Sequence, residues 1–257
     1  MTLGLRILGA ASSNPLQAGP RRSDKPSWAQ WRPRRAILAE RDPVPMQNVD
    51  FKCELRDPEL ARVILKRRGA MFVGAADHRD TYYRIPDGRL KKREADREPV
   101  EWIVYHRTDR PQPSISRFII YSSDQLRERY GDRDLPEWLA FTKRREIWLM
   151  NGLRVHLDHL SELGWFCEID ALVSKTRHVV KCHEAIADIR QTLAPSLGGM
   201  IATSYADLIA LERQLADEGE AEEPAWFKDW RPPEGVIDAI PPLDPSDDFD
   251  ETDDRAA

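Results

Sequence analysis

Arg154-Val155-His156-Leu157-Asp158 and, a few residues later, Phe166-Cys167-Glu168-Ile169-Asp170 alternate polar and charged with apolar side chains, one residue at a time. Successive side chains on a β-strand point to opposite faces, so each segment folds as a strand with one charged and one apolar face. The habit recurs. Asp50 and Lys52 are spaced by two, as are Arg89, Lys91 and Arg93, and Lys143 and Arg145. Two architectures accept such strands: an open sheet whose charged face looks at water, laced by cross-strand ion pairs, or a closed barrel with a charged interior. Repetition with charges of both signs favours the barrel; periodicity alone leaves both open.

The chain of 257 residues is long enough for one large domain with a real core. A net charge of -5 argues against general affinity for nucleic acid or membranes. No apolar run approaches the ~20 residues of a membrane helix. Cys53, Cys167 and Cys182 are too few and too scattered for a disulfide framework or a zinc site, which fits a reduced, cytoplasmic protein. Charge is unevenly spread: residues 1–46 form a basic arm without periodicity, and residues 217–257 a Glu-, Asp- and Pro-rich tail, both expected to be disordered. The folded domain is expected over residues 47–216.

Within it, Gln47 to Leu55 reads as a strand, and Asp57-Pro58 caps a helix that Gly69 ends. Strands follow over 71–85, with an irregular middle, and, after the Pro86-Asp87-Gly88 turn signal, through Arg89 to Arg93; others cover 101–107, 117–121 and 138–150. Asn151-Gly152 predicts a tight hairpin turn into 153–159, and Gly164 leads to 165–173. Helices are expected over 123–130, 174–193 and 204–216.

On the polar faces the basic set is Lys52, Arg89, Lys91, Arg93, Arg107, Lys143, Arg145 and Arg154, and the acidic set Asp50, Glu54, Asp158, Glu168 and Asp170. That many cations in one cavity call for a highly charged anion. Carboxylates beside them make sense where a divalent cation bridges protein and phosphate oxygens. A polyphosphate with Mg²⁺ or Mn²⁺ meets both needs, and with no glycine-rich phosphate loop the side chains must do the cradling. His156 reads as a hydrogen-bonding lumen residue, His78, His159, His178 and His183 as surface, and Cys53 and Cys167 as outward packing.

In order along residues 47–216, several motifs resemble those of the CYTH family, the triphosphate tunnel metalloenzymes. They are Asn48-Val49-Asp50-Phe51-Lys52, Asp80-Thr81-Tyr82-Tyr83, Gly88 to Arg93, Lys143 to Ile147, Arg154 to Asp158 and Leu163 to Asp170. Ser204-Tyr205-Ala206-Asp207-Leu208-Ile209 is similar to the closing helix of the branch containing class IV adenylyl cyclases. The resemblance implies an α+β fold: a closed antiparallel β-barrel of about eight strands with a charged tunnel and flanking α-helices. By resemblance Asp50, Asp158, Glu168 and Asp170 face the metal, Mg²⁺ or Mn²⁺. Lys52, Arg89, Lys91, Arg93, Arg107, Lys143, Arg145 and Arg154 hold the triphosphate, with Lys52 and Arg145 in catalytic roles. Asn48 stands where the family's first Glu is usual, and Asp50 and Asp170 shorten two other carboxylates. The implied activity is that of an adenylyl cyclase making cyclic AMP and pyrophosphate from ATP. The alternatives are a triphosphatase acting on tripolyphosphate, thiamine triphosphate or a nucleotide, and a non-catalytic sensor. The expected partner is the small triphosphate, with no nucleic acid or membrane, and with a homodimer as an option.

Overall fold

A computed structural model describes residues 43–96, 98–213 and 226–230. The basic arm up to residue 42 and most of the acidic tail lie outside the described residues. Nine strands form: β1 (Met46–Leu55), β2 (Met71–Tyr83), β3 (Arg89–Ala95), β4 (Glu101–Arg107), β5 (Ser114–Tyr121), β6 (Glu137–Met150), β7 (Leu153–Leu160), β8 (Gly164–Leu172) and β9 (Leu197–Met200). Interleaved are helices α1 (Pro58–Arg67), α2 (Ser123–Tyr130), α3 (Val179–Leu193), α4 (Tyr205–Glu212) and a single turn, α5 (Trp226–Asp229).

The sheet runs β5-β4-β3-β2-β6-β7-β8-β1, every pair antiparallel, and β5 returns to pair with β1. Eight strands thus close a barrel. The short β9 takes the remaining edge of β1, beyond the point where β5 leaves it. Closure removes the sheet's free edges and gives each strand an inside and an outside.

Alternation decides what each side receives. Val49, Phe51, Cys53 and Leu55 of β1, Val155 and Leu157 of β7, and Cys167 and Ile169 of β8 point outward and are buried beneath α1 and α3. Leu65, Ile186 and Ile189 answer from the helices at zero exposure. Fully burying such side chains stabilises the fold by about 1.5–3 kcal/mol each. On the opposite wall, α2 covers Leu90, Val104, Ile119 and Tyr121. Most of the hydrophobic core therefore lies outside the barrel, between wall and helices. A further cluster, Leu139, Phe141, Leu160 and Phe166 with Tyr205 and Ile209 of α4, fills one end of the interior, and the rest of the lumen is left to polar groups.

Local chemistry fixes the corners. Asp57 accepts the Leu60 amide at 2.9 Å and Pro58 opens α1. Reciprocal capping boxes, Ser122 with Gln125 and Ser204 with Asp207, start α2 and α4. Asn151 and Gly152 both take positive φ (53° and 77°), the conformation of the tight turn that their sequence signals. Gly88, at φ 74°, also lies against His106: a Cβ there would come within 2.8 Å of the imidazole.

Several boundaries differ from the sequence expectation. β5 begins at Ser114, three residues early. Ser174 to Arg177 is a hydrogen-bonded turn, so α3 starts at Val179. Gly198 and Gly199, between the two expected helices, sit in a short strand, β9. His78 is not a surface residue: β2 turns it inward and it is only 5% exposed. Within the expected disordered tail, residues 226–230 are placed against α2, where the Trp230 ring stacks on Tyr130 at 5.2 Å between centroids. No helix among the described residues is long and apolar enough to cross a membrane.

Candidate active site: a charged tunnel

The polar faces of the eight strands meet inside the barrel. Contacts between strands that are not neighbours establish this. Arg107 on β4 donates to Asp50 on β1 at 2.6 Å, across β5. Arg145 on β6 donates to Glu168 on β8, across β7. Lys52 of β1 and Lys143 of β6, from opposite walls, both lie over the ring of Tyr205.

One wall, made by β2, β3 and β6, is rich in cations. Asp80, fully buried, is its central carboxylate. Lys143 stands 3.2 Å from it, Arg93 donates to it at 3.1 Å, and Lys91 lies 3.8 Å away. Burial alone would raise the Asp80 carboxyl, but Lys143, Arg93 and Lys91 hold it well below the usual range. Conversely, burial, reinforced by Arg93 and Lys143 and opposed by Asp80, brings the Lys91 ammonium down to about 7. His78 is lowered to about 3 by burial and by Arg93, Arg145 and Lys143, and is neutral.

The other wall, made by β1, β7 and β8, carries the carboxylates. Pairing register sets Asp50 opposite Asp170, Lys52 opposite Glu168, and Asp170 opposite Arg154. Asp158 takes two hydrogen bonds from Arg145, at 2.7 and 2.5 Å, and a third from the Tyr205 hydroxyl at 3.0 Å. Burial would raise Asp158, yet Arg145 and Lys143 hold it at about 2. Glu168 is likewise kept well below its ordinary value, against burial, by Arg145 and Lys52. Asp170 behaves oppositely: burial and the neighbouring Glu168 push it up to about 6. Asp50 is raised too, by burial, with Arg107 opposing.

All twelve residues expected at the site occupy lumen-facing positions of the strand registers, but they are not equally engaged. Arg89 and Arg154 remain about one-third exposed, Arg89 on Asp109 and Asp207, Arg154 at 3.4 Å from Asp170. Lys52 donates to the Thr203 carbonyl at 3.3 Å, and Arg107 to that of Ala202 at 2.7 Å. Glu54 leaves the lumen and accepts the Gly199 amide. Sequence reasoning passed over Asp80, His78, Ser114 and Ser116 as lumen residues. The signal for the first two is the spacing His78-Asp80-Tyr82, masked by the β-bulge at Phe72/Gly74 that shifts the register of β2. Lys92 points outward, paired with Glu94 and lying over Trp102.

A divalent cation fits the acidic wall. Asn48 Oδ1 and Asp170 Oδ1 are buried oxygens with no hydrogen-bond partner, and the crowding that raises Asp170 is what a cation relieves. Among the described residues no three His, Cys, Asp or Glu side chains stand together as a ready-made cage. That suits a hard cation which takes one or two carboxylates, completing its shell with phosphate oxygens and water. Beside the cationic wall, a cavity of about 230 Å³ opens between Tyr82, Trp138, Ile85, Arg89 and Ser204.

Fold and site define a β-tunnel protein with a lumen of segregated charge. Residues 46–205 match the CYTH domain, and the chain belongs to that family, whose members are generally metal-using enzymes of triphosphates. No curated protein sequence matches it. Among solved structures it is similar to an adenylate cyclase candidate from Vibrio parahaemolyticus (16% identity, 63% of this chain and 97% of that one, TM-score 0.49). It is also similar to the PH1012 protein of Pyrococcus horikoshii OT3 (18% identity, 63% and 98%, TM-score 0.47). A third is the adenylyl cyclase candidate HpAC1 of Hippeastrum, described as having a dominant triphosphatase activity (11% identity, 65% and 95%, TM-score 0.44).

Proposed function

We propose that this protein is a divalent-cation-dependent enzyme that holds ATP in its tunnel and converts it to cyclic AMP and pyrophosphate. The observation that carries the triphosphate part is the arrangement around Asp80. Lys91, Arg93 and Lys143 all converge on Asp80, with Asp158 and Glu101 as more distant partners, 3.8 Å from Lys143 and 4.0 Å from Arg93, which leaves buried positive charge for a polyanion to neutralise. Asp50 and Asp170, opposite each other, would hold Mg²⁺ or Mn²⁺ on the facing wall with the Asn48 oxygen, and Glu168 would add negative charge beside the ion. Asp158, expected among them, is engaged by Arg145 and Tyr205. The ion would supply charge neutralisation to the phosphates. Lys52, Arg107, Arg154 and Arg89 extend the phosphate contacts along the lumen. Arg145, locked by Asp158 and Glu168, presents a fixed guanidinium to the same space.

The aromatic cavity beside Arg89 has the size and lining for a nucleobase, which favours a nucleotide over inorganic tripolyphosphate. In the cyclase reaction the ribose 3′ oxygen gives its proton to water and bonds to the α-phosphorus. The bond from that phosphorus to the bridging oxygen breaks, and pyrophosphate leaves. The same cations would serve a hydrolytic reading, in which water attacks a terminal phosphorus of the bound triphosphate.

Purified protein with Mg²⁺ or Mn²⁺, offered ATP, thiamine triphosphate and tripolyphosphate in parallel, separates the readings. Cyclic AMP with pyrophosphate supports the first reading and orthophosphate the second. Binding without turnover would make the protein a sensor and overturn both.

A further inference from the structure

α4 closes one end of the lumen, and Tyr205, its first residue, touches more of the charged lining than any plug requires. The side chain is buried at 3% exposure and wedged edge-on between Phe141 and Phe166. Its hydroxyl donates to Asp158, the carboxylate that grips Arg145 through two hydrogen bonds. The Lys52 ammonium lies 4.1 Å from the centre of its ring and the Lys143 ammonium 4.9 Å. Lys52 donates a hydrogen bond to the carbonyl of Thr203, two residues before Tyr205. A single aromatic residue thus reaches three cations that come from β1 and β6.

We infer that Tyr205 is a positioning residue for the phosphate-binding cations: its ring seats Lys52 and Lys143, and its hydroxyl fixes Arg145 through Asp158. The physical argument has two independent parts. An ammonium on an aromatic face is attracted without being neutralised by an anion. The ring thus seats Lys52, whose hydrogen bond goes to a neutral carbonyl, and gives Lys143, which Asp80 engages at 3.2 Å, a second hold that cancels no charge. The hydroxyl, in turn, supplies Asp158 with a third donor, fixing the carboxylate plane against which the Arg145 fork lies flat. Tyr205 needs no contact with the substrate for either task.

This inference rests on the tunnel being the triphosphate site, and two substitutions in the full chain test it. Tyr205→Phe keeps the ring and removes the hydroxyl; Tyr205→Leu removes both while still filling the plug. Turnover and tripolyphosphate binding by calorimetry with Mg²⁺ are measured for each, alongside thermal midpoints. Tyr205→Leu is expected to raise both KM and the tripolyphosphate dissociation constant about tenfold, with a smaller change in kcat. Tyr205→Phe should restore most of that affinity while retaining a lower kcat from the loosened Arg145. Wild-type affinity in Tyr205→Leu overturns the ring's role, and equal losses in the two variants, tracking their thermal midpoints, reduce Tyr205 to packing. If the unaltered protein neither binds nor turns over any triphosphate, the functional reading itself fails, a different result from either.

Discussion

The two walls of the tunnel use the same side-chain types and reach opposite electrostatic states. On the β2–β3–β6 wall a single carboxylate, Asp80, is shared by Lys91, Arg93 and Lys143, and it stays ionised far below its usual range. On the β1–β8 wall Asp50 and Asp170 face each other across a strand pair beside Glu168, and both are raised. Around Asp80 the cations outnumber the carboxylates, and where Asp50 and Asp170 meet the carboxylates crowd together although Arg107 and Arg154 stand beside them. The first point is therefore short of negative charge and the second of positive. A triphosphate carrying a divalent cation supplies both deficits at once, anion to the first and cation to the second. The strain of each wall is thus complementary to one half of the same ligand.

The largest effect is expected from upsetting the wall with one acid. Asp80→Asn leaves three buried cations around a neutral amide and should destabilise the fold by about 3 kcal/mol, within the range for breaking a buried ion pair. Urea unfolding at pH 7 measures it, and added tripolyphosphate should recover part of the loss. Unchanged stability would mean that water, not Asp80, balances these cations. Next in size, Glu168→Gln on the acidic wall removes charge at constant shape. Its kcat with Mg²⁺ should fall on the order of a hundredfold. Because Arg145 and Lys52 hold Glu168 ionised, the thermal midpoint should fall too, by less than in Asp80→Asn, where the carboxylate lost is fully buried. Full activity would remove Glu168 from the cation's surroundings.

Much of this was legible beforehand because both walls are written in period two. Arg154-His156-Asp158, Glu168-Asp170 and Arg89-Lys91-Arg93 each announce a face, and their order along the chain resembles one family's. The barrel follows once those faces must share an interior. What the sequence concealed is who pairs with whom. Asp80 lies in a strand whose alternation is broken by a bulge, and its partners come from β3 and β6, at sequence distances of up to 63 residues that periodicity does not report. Tyr205 is legible as part of the closing helix, but nothing local reveals that Lys52 and Lys143 will lie on its ring. Ser114 and Ser116 were unreadable for a simpler reason. They follow Pro111 and Pro113, which obscure where β5 begins.

A third substitution asks whether the walls truly differ in sign. The raised Asp170 carboxyl, near 6 in the fold against an ordinary 3.8, contributes stability only where it is protonated. That contribution is complete below about pH 4 and is lost as pH rises through about 6. At pH 7 the ionised group is therefore a cost, and Asp170→Asn should raise the stability of the metal-free protein by about 1–2 kcal/mol, opposite to Asp80→Asn. The same variant should weaken Mg²⁺-dependent tripolyphosphate binding. A destabilising Asp170→Asn would show the walls to be electrostatically alike.

The smallest effect is also the most local. Lys91 is held near 7 by burial and by Arg93 and Lys143, so at pH 8 most of the unliganded protein carries it neutral. A bound polyphosphate stabilises the ammonium form, raises its pKa and must draw a proton from solution. Tripolyphosphate binding at pH 8 is thus expected to take up a fraction of a proton, with affinity weakening as pH rises from 7 to 9. Calorimetry in buffers of different ionisation enthalpy measures the uptake, and Lys91→Met should remove it. Acidic-wall groups give a different signature, since Asp170 loses its proton when a cation binds and does so around pH 6, below the range where Lys91 titrates. Proton uptake at pH 8 and release near pH 6 would therefore assign phosphate to one wall and metal to the other without a single rate measurement. Release at both pH values would mean that Lys91 stands apart from the phosphate chain.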